Sequence, residues 1–128
     1  MNTITSKGVE VTVEVFYQSE YSKPLSNEHM FAYRITIVNL NAYSIQLLRR
    51  HWFIFDSLGE SKEVEGEGVI GQQPVINPGE SYQYISGSNL NSELGKMWGH
   101  YKMIELDKLE EFLVEIPSFD LIAPQKNN

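Results

Sequence analysis

Hydrophobic and polar residues alternate along this chain with a period of two. Val9, Val11, Val13 and Val15 are separated by Glu10, Thr12 and Glu14, the signature of a strand with one buried face. Phe31, Tyr33, Ile35 and Ile37 repeat the pattern, with Arg34 and Thr36 opposite. Further strand-like runs cover residues 44–55, a weaker glycine-rich stretch at 62–69, the pair Tyr82 and Tyr84, residues 101–106, and Phe112, Val114 and Ile116. Turn chemistry separates the runs at Ser22-Lys23-Pro24, Asn39-Leu40-Asn41, Ser57-Leu58-Gly59 and Asn77-Pro78-Gly79. In the last of these, Pro78 presets φ and Gly79 suits the positive φ of a type II turn. No amphipathic helix of ordinary length is visible, and residues 92–97 have room for one helical turn at most. About seven short strands joined by turns predict a single all-β domain, an immunoglobulin/fibronectin type III-like sandwich of two antiparallel sheets. Val11, Val13, Tyr33, Ile35, Trp52, Ile54, Val114 and Ile116 are its expected core.

The run at 44–55 changes phase. Ile45 and Leu47 are apolar in one register; Leu48, Trp52 and Ile54 are apolar in the other, with Arg49-Arg50-His51 between them. Either a β-bulge or burial on both faces accounts for this. The bulge is the better reading, because Arg-Arg-His is hard to bury.

The chain has 128 residues, enough for one core without staples, and residues 1–128 read as one domain with its core over about 9–122 and a polar tail at 124–128. There are no cysteines, which removes disulfides and Cys-ligated zinc and fits a reducing, cytoplasmic setting. No signal peptide and no membrane-inserting stretch are expected. The formal net charge of −7 opposes a phosphate backbone, so general nucleic-acid binding is not expected. Homo-oligomerisation stays open.

The sharpest motif is Gly66-Glu67-Gly68-Val69-Ile70-Gly71, formally G-x-G-x-x-G. In a dinucleotide-binding fold this loop opens a helix whose N-terminus holds a pyrophosphate. Here Pro74 and Pro78 leave no room for that helix, and Glu65 and Glu67 repel phosphate. A backbone nest for a small anion stays open; glycines serving a bulged or tightly turning strand pair is the better reading. Arg49, Arg50 and His51 form the one dense basic cluster and are candidates for an anion or acidic partner, with Arg34 on an expected neighbouring strand. Pairing with some of the 17 acidic groups on the sheet surface is the better reading of them. His29, His51 and His100 lack ligand spacing, so neither a metal site nor a cofactor is expected. No nucleophile elbow, catalytic dyad or acid pair is visible, which argues against an enzyme. Trp52, in mid-strand, reads as core. Trp98, between Gly95 and Gly99, reads either as core or as an exposed interface anchor.

Four stretches together resemble the bacterial ApaG family: residues 46–52, 64–74, 77–87 and 112–119. The likeness runs from about Val9 to Ile122. It implies a fibronectin type III-like sandwich and a portable protein-interaction module, since related domains occur in an F-box ubiquitin-ligase adaptor and in a DNA polymerase delta-interacting protein. It also implies an association with cobalt and magnesium efflux, acting through partners. The family's glycine motif has prompted suggestions of pyrophosphate binding, and Gly66, Gly68 and Gly71 match it here. The 106–110 hairpin lacks the glycine the family pattern calls for.

Overall fold

The computed structural model describes residues 1–124 and is built of nine strands. They are β1 (Asn2–Ser6), β2 (Val9–Tyr17), β3 (His29–Asn39), β4 (Ile45–Asp56), β5 (Glu60–Glu67), β6 (Val75–Ile76), β7 (Ser81–Leu90), β8 (Leu94–Glu105) and β9 (Glu110–Ile122). One sheet has the order β1-β2-β3-β7; the other has the order β5-β4-β8-β9, with β6 also pairing β4. All pairings are antiparallel. The expected fibronectin type III-like sandwich is therefore present, with β1 added beside β2. Of the polar tail expected at 124–128, residues 125–128 lie outside the described residues.

The alternating side chains fill the space between the sheets, where each buried aliphatic side chain contributes about 1.5–3 kcal/mol of transfer free energy. Val11, Val13 and Ile35 face Trp52, Tyr101 and Val114 from the opposite sheet, and all are buried. Trp52 sits in an aromatic contact group with Tyr33 (5.5 Å between centroids) and Phe119 (5.9 Å). Ile54, expected in the core, is only partly buried and packs against its edge.

The phase change in β4 is a bulge. Leu47 pairs with Met103 and Arg49 with Lys102, so Leu48 is the extra residue. The bulge falls just before the basic triplet and turns Trp52 inward. A second irregularity lies between β8 and β9: Met97 pairs with Phe119 but Gly99 with Ile116, leaving Trp98 on one strand and Pro117-Ser118 on the other out of register. Pro117 has no N–H to give the ladder, which is why pairing breaks there.

Residues 92–97 form no helical turn; the chain bends at Ser92-Glu93 and enters β8 at Leu94. At the predicted type II turn, the Glu80 N–H donates to Asn77 O (3.0 Å) and Gly79 has φ +78°. β1 escaped the pattern because it exposes most of its face. Its link to β2 is the two-residue turn Lys7-Gly8, with φ values of 54° and 72°, a primed hairpin without the usual Asn-Gly signal.

Candidate functional site

The glycine motif is an excursion from an edge strand. β5 pairs with β4 up to Glu67↔Arg49, and pairing resumes at Val75↔Gln46, so residues 68–74 loop out opposite the bulged Leu48. The Leu48 carbonyl accepts both the Gly68 N–H (2.8 Å) and Gln73 Nε2 (3.0 Å). Within the loop, Val69 and Gln72 exchange backbone hydrogen bonds of 2.8 and 3.0 Å. Val69 is buried and belongs to the hydrophobic core. The residues after Pro74 form β6 rather than a helix. Gly68, Ile70 and Gly71 have φ values of 60°, 48° and 71°, and for the β-branched Ile70 this is strained backbone.

Two amides of the loop, those of Ile70 and Gly71, have no acceptor among the described residues. They border a cavity of about 200 Å³ that also touches Arg50, Tyr33, Tyr84 and Ser86. Gly66 lets Arg50 reach this place, since a Cβ there would stand 2.8 Å from the guanidinium. Arg50 Nη1 donates to the carbonyls of Glu67 (3.0 Å) and Gly68 (3.1 Å). Part of its donor capacity therefore serves the loop itself. On the cavity's inner side, Tyr84 Oη and Tyr101 Oη share a buried hydrogen bond of 2.5 Å. Burial pushes the phenols of Tyr33, Tyr84 and Tyr101 up, outweighing the Ser86 hydrogen bond and the Arg50 charge at Tyr33, so they stay neutral. The site thus offers one guanidinium, two amides and neutral hydroxyls.

Arg49, Arg50 and His51 together border a small pocket of about 100 Å³ with Glu65, His100 and Lys102, but their side chains diverge. Strand alternation sends Arg50 inward to the glycine loop and His51 outward, where it stacks on Phe53 (4.5 Å). His51 Nε2 contacts Glu63 Oε1 at 2.6 Å and Nδ1 contacts Glu65 Oε1 at 3.0 Å. The carboxylate-pairing reading holds for His51. Arg34 does not extend the patch, because β3 belongs to the other sheet and Arg34 is bound bidentately by Glu14 (2.7 and 3.1 Å). Among the described residues, no three His, Asp or Glu side chains are placed to hold a metal ion.

Trp98 stands on the outer face of the five-stranded sheet, 39% exposed, so the core reading does not apply to it. It pairs directly with Phe53 across β4 and β8, and the rings stack at 5.8 Å and 12°. The strand irregularity beside it opens a groove of about 470 Å³ bordered by Ile4, Trp98, Ile116 and Pro117, with Lys96 and Glu115 at its rim. Asn2 Nδ2 donates to Ser118 O (2.6 Å), and the Glu115 N–H donates to Ser6 Oγ (3.0 Å), fixing β1 alongside β9. Ile4 and Pro117 gave no signal in the sequence, because the groove is assembled from β1 at one end of the chain and the β8–β9 hairpin about a hundred residues later.

Residues 19–105 match the ApaG domain. The chain is 44% identical over 126 residues to protein ApaG of Brucella canis, covering 98% of this chain and 96% of that protein. This chain belongs to the ApaG family. The ApaG protein of Paramagnetospirillum magneticum is equally similar, at 44% identity over 126 residues. The crystal structure of the ApaA protein from Bordetella pertussis superposes with a TM-score of 0.87 at 36% identity, covering 92% of this chain and 95% of that one. The chain thus corresponds to these relatives over nearly its full length and shares their fold.

Proposed function

We propose that this ApaG chain is a non-catalytic, cytoplasmic protein-interaction module that grips its partner in the groove beside Trp98. The observation that carries the reading is a large, half-exposed indole, held rigid by stacking on Phe53, at the wall of an apolar groove. Aromatic anchors of this kind dominate binding energy because they bury much area at little conformational cost. With Lys96 and Glu115 on one rim, the groove suits a segment presenting an apolar side chain with mixed polar flanks. In this reading the cobalt and magnesium association acts through the partner and not by chelation.

The test is affinity capture from native cell extract with wild-type, Trp98→Ala and Arg50→Ala baits of verified fold. Partners held by the wild type and by Arg50→Ala but lost with Trp98→Ala are expected. Retention of the same partners by Trp98→Ala, or nothing retained by the wild type above an acidic control domain, overturns the reading.

A second reading, small-anion or pyrophosphate binding, is favoured by the two unbonded amides of Ile70 and Gly71 beside Arg50. Arg49 and His51 would take no part in it, since they face away from the loop.

A further inference from the structure

The sandwich has exposed strand edges, and they are defended unequally. β5 carries Glu60, Lys62, Glu63, Glu65 and Glu67, charges that discourage a second strand from pairing. β1 and β9 are tied to each other by side-chain hydrogen bonds. β7, Ser81-Tyr82-Gln83-Tyr84-Ile85-Ser86-Gly87-Ser88-Asn89-Leu90, has no charged residue and no proline along its length. Among the described residues it pairs only with β3.

The ladder fixes which backbone groups of β7 are free. The Asn39 N–H donates to Glu80 O (3.0 Å), and in the β3–β7 register bonded pairs recur at every second residue. Tyr82, Tyr84, Ser86, Ser88 and Leu90 therefore point their N–H and C=O groups at β3. Those of Ser81, Gln83, Ile85, Gly87 and Asn89 point away from it. Among the described residues, no hydrogen bond outside the β3 ladder reaches the backbone of residues 81–90.

We propose that this edge binds a second copy of the chain, β7 pairing antiparallel with its partner's β7 about a two-fold axis at Ile85. The full use of the five outward residues centres the pairing there, setting Gln83 opposite the partner's Gly87 and Ser81 opposite the partner's Asn89. The four strands of each copy join into one continuous sheet. Charge selects this occupant. A chain of net charge −7 repels its own copy over most of its surface, yet β7 is uncharged; of its face neighbours on β3, Met30, Ala32, Thr36 and Val38 are neutral, and Arg34, opposite Ile85, is neutralised by its ion pair with Glu14. A β5–β5 pairing would set carboxylates against carboxylates. An uncharged edge gives a foreign strand no charge to be chosen by, whereas self-pairing has a matched length and register. Ile85, 60% exposed on the outer face, would meet its own copy at the axis. A single strand pair is a small interface, so the dimer is concentration-dependent.

Sedimentation velocity over a wide concentration series tests this, with Ile85→Lys and Ile85→Glu chains whose fold is checked by circular dichroism. The wild type is expected to show a monomer–dimer equilibrium, and each variant alone to dimerise at least about tenfold more weakly. An equimolar mixture of the two variants, which sets opposite charges at the axis, should recover dimer. In hydrogen exchange, the amides of Gln83, Ile85, Gly87 and Asn89 should slow as concentration rises, while those of Tyr82, Tyr84 and Ser86 stay constant. A wild type monomeric at every concentration, a dimer indifferent to Ile85→Lys, or a mixture that stays monomeric overturns the proposal.

Discussion

A Cβ added at Gly68 would lie 2.0 Å from the carbonyl oxygen of Gln72, at a φ of +60°, whereas one added at Gly71 would meet nothing within 4 Å. The two glycines of one motif thus have different duties. Gly68→Val must overcome both the left-handed backbone and a clash with a carbonyl that is itself part of the loop's turn. The combined cost is about 3 kcal/mol or more, which lowers Tm by roughly 10 °C for a chain of this size. Gly71→Ala pays only the backbone term, about 1 kcal/mol. Thermal melts of the two variants check the ranking; equal melting temperatures would show that the loop is not built around Gly68. The motif was visible in the sequence, and Pro74 was enough to exclude a helix after it. What the sequence could not show is that Leu48, twenty residues earlier, supplies the carbonyl that anchors Gly68, because a bulge becomes a binding partner only once the strands are paired. For the same reason the sequence could not show that the Arg50 guanidinium serves the glycine loop while the triplet borders a pocket with His100 and Lys102.

At the scale of elements, Asp56 joins the turn after β4 to the turn before β8. Its buried carboxylate accepts the Asn91 N–H (2.7 Å), the Ser92 hydroxyl (2.5 Å) and the Leu58 N–H (3.2 Å). Burial alone would raise its pKa, but these hydrogen bonds, led by Ser92, together with the Lys62 charge, outweigh burial and hold it below the ordinary value. A carboxyl lowered in the folded state contributes stability that is present above its unfolded pKa, about 3.9, and lost as pH falls through the folded one. Asp56→Asn should therefore cost about 1–3 kcal/mol at neutral pH, from donors left short of an acceptor, and should flatten the fall in stability below about pH 4. Urea midpoints measured across that range check this; a variant with the wild-type slope would remove Asp56 as a source. Glu14, lowered by its hydrogen bond to Arg34, sits on the open face of β2, so Glu14→Gln should change the slope little. Seven strands were legible because a half-buried strand announces itself by period two. Asp56 was not, since its partners lie 35 and 36 residues away and nothing in Phe55-Asp56-Ser57 distinguishes it from an exposed turn residue.

For the whole molecule, the question is whether the glycine loop can hold a phosphate against the field of the rest of the chain. The attractive groups are now countable: the amides of Ile70 and Gly71, and an Arg50 guanidinium already engaged with two carbonyls. One or two charge-assisted contacts contribute roughly 1.5–3 kcal/mol each. Their sum corresponds to about millimolar affinity before the cost of association. Against this stand Glu65 and Glu67 on the strand leading into the loop and a net charge of −7, the latter screened by salt. Pyrophosphate or ATP titrated into the protein should therefore give no calorimetric signal at micromolar concentration at physiological ionic strength. Any weak binding seen at low salt should fall as salt rises and disappear in Arg50→Ala, while Arg49→Ala, facing the other way, should leave it unchanged. Micromolar binding that survives at physiological salt and is abolished by Arg50→Ala without loss of fold would make the loop an anion site and displace the Trp98 groove as the principal reading of this domain.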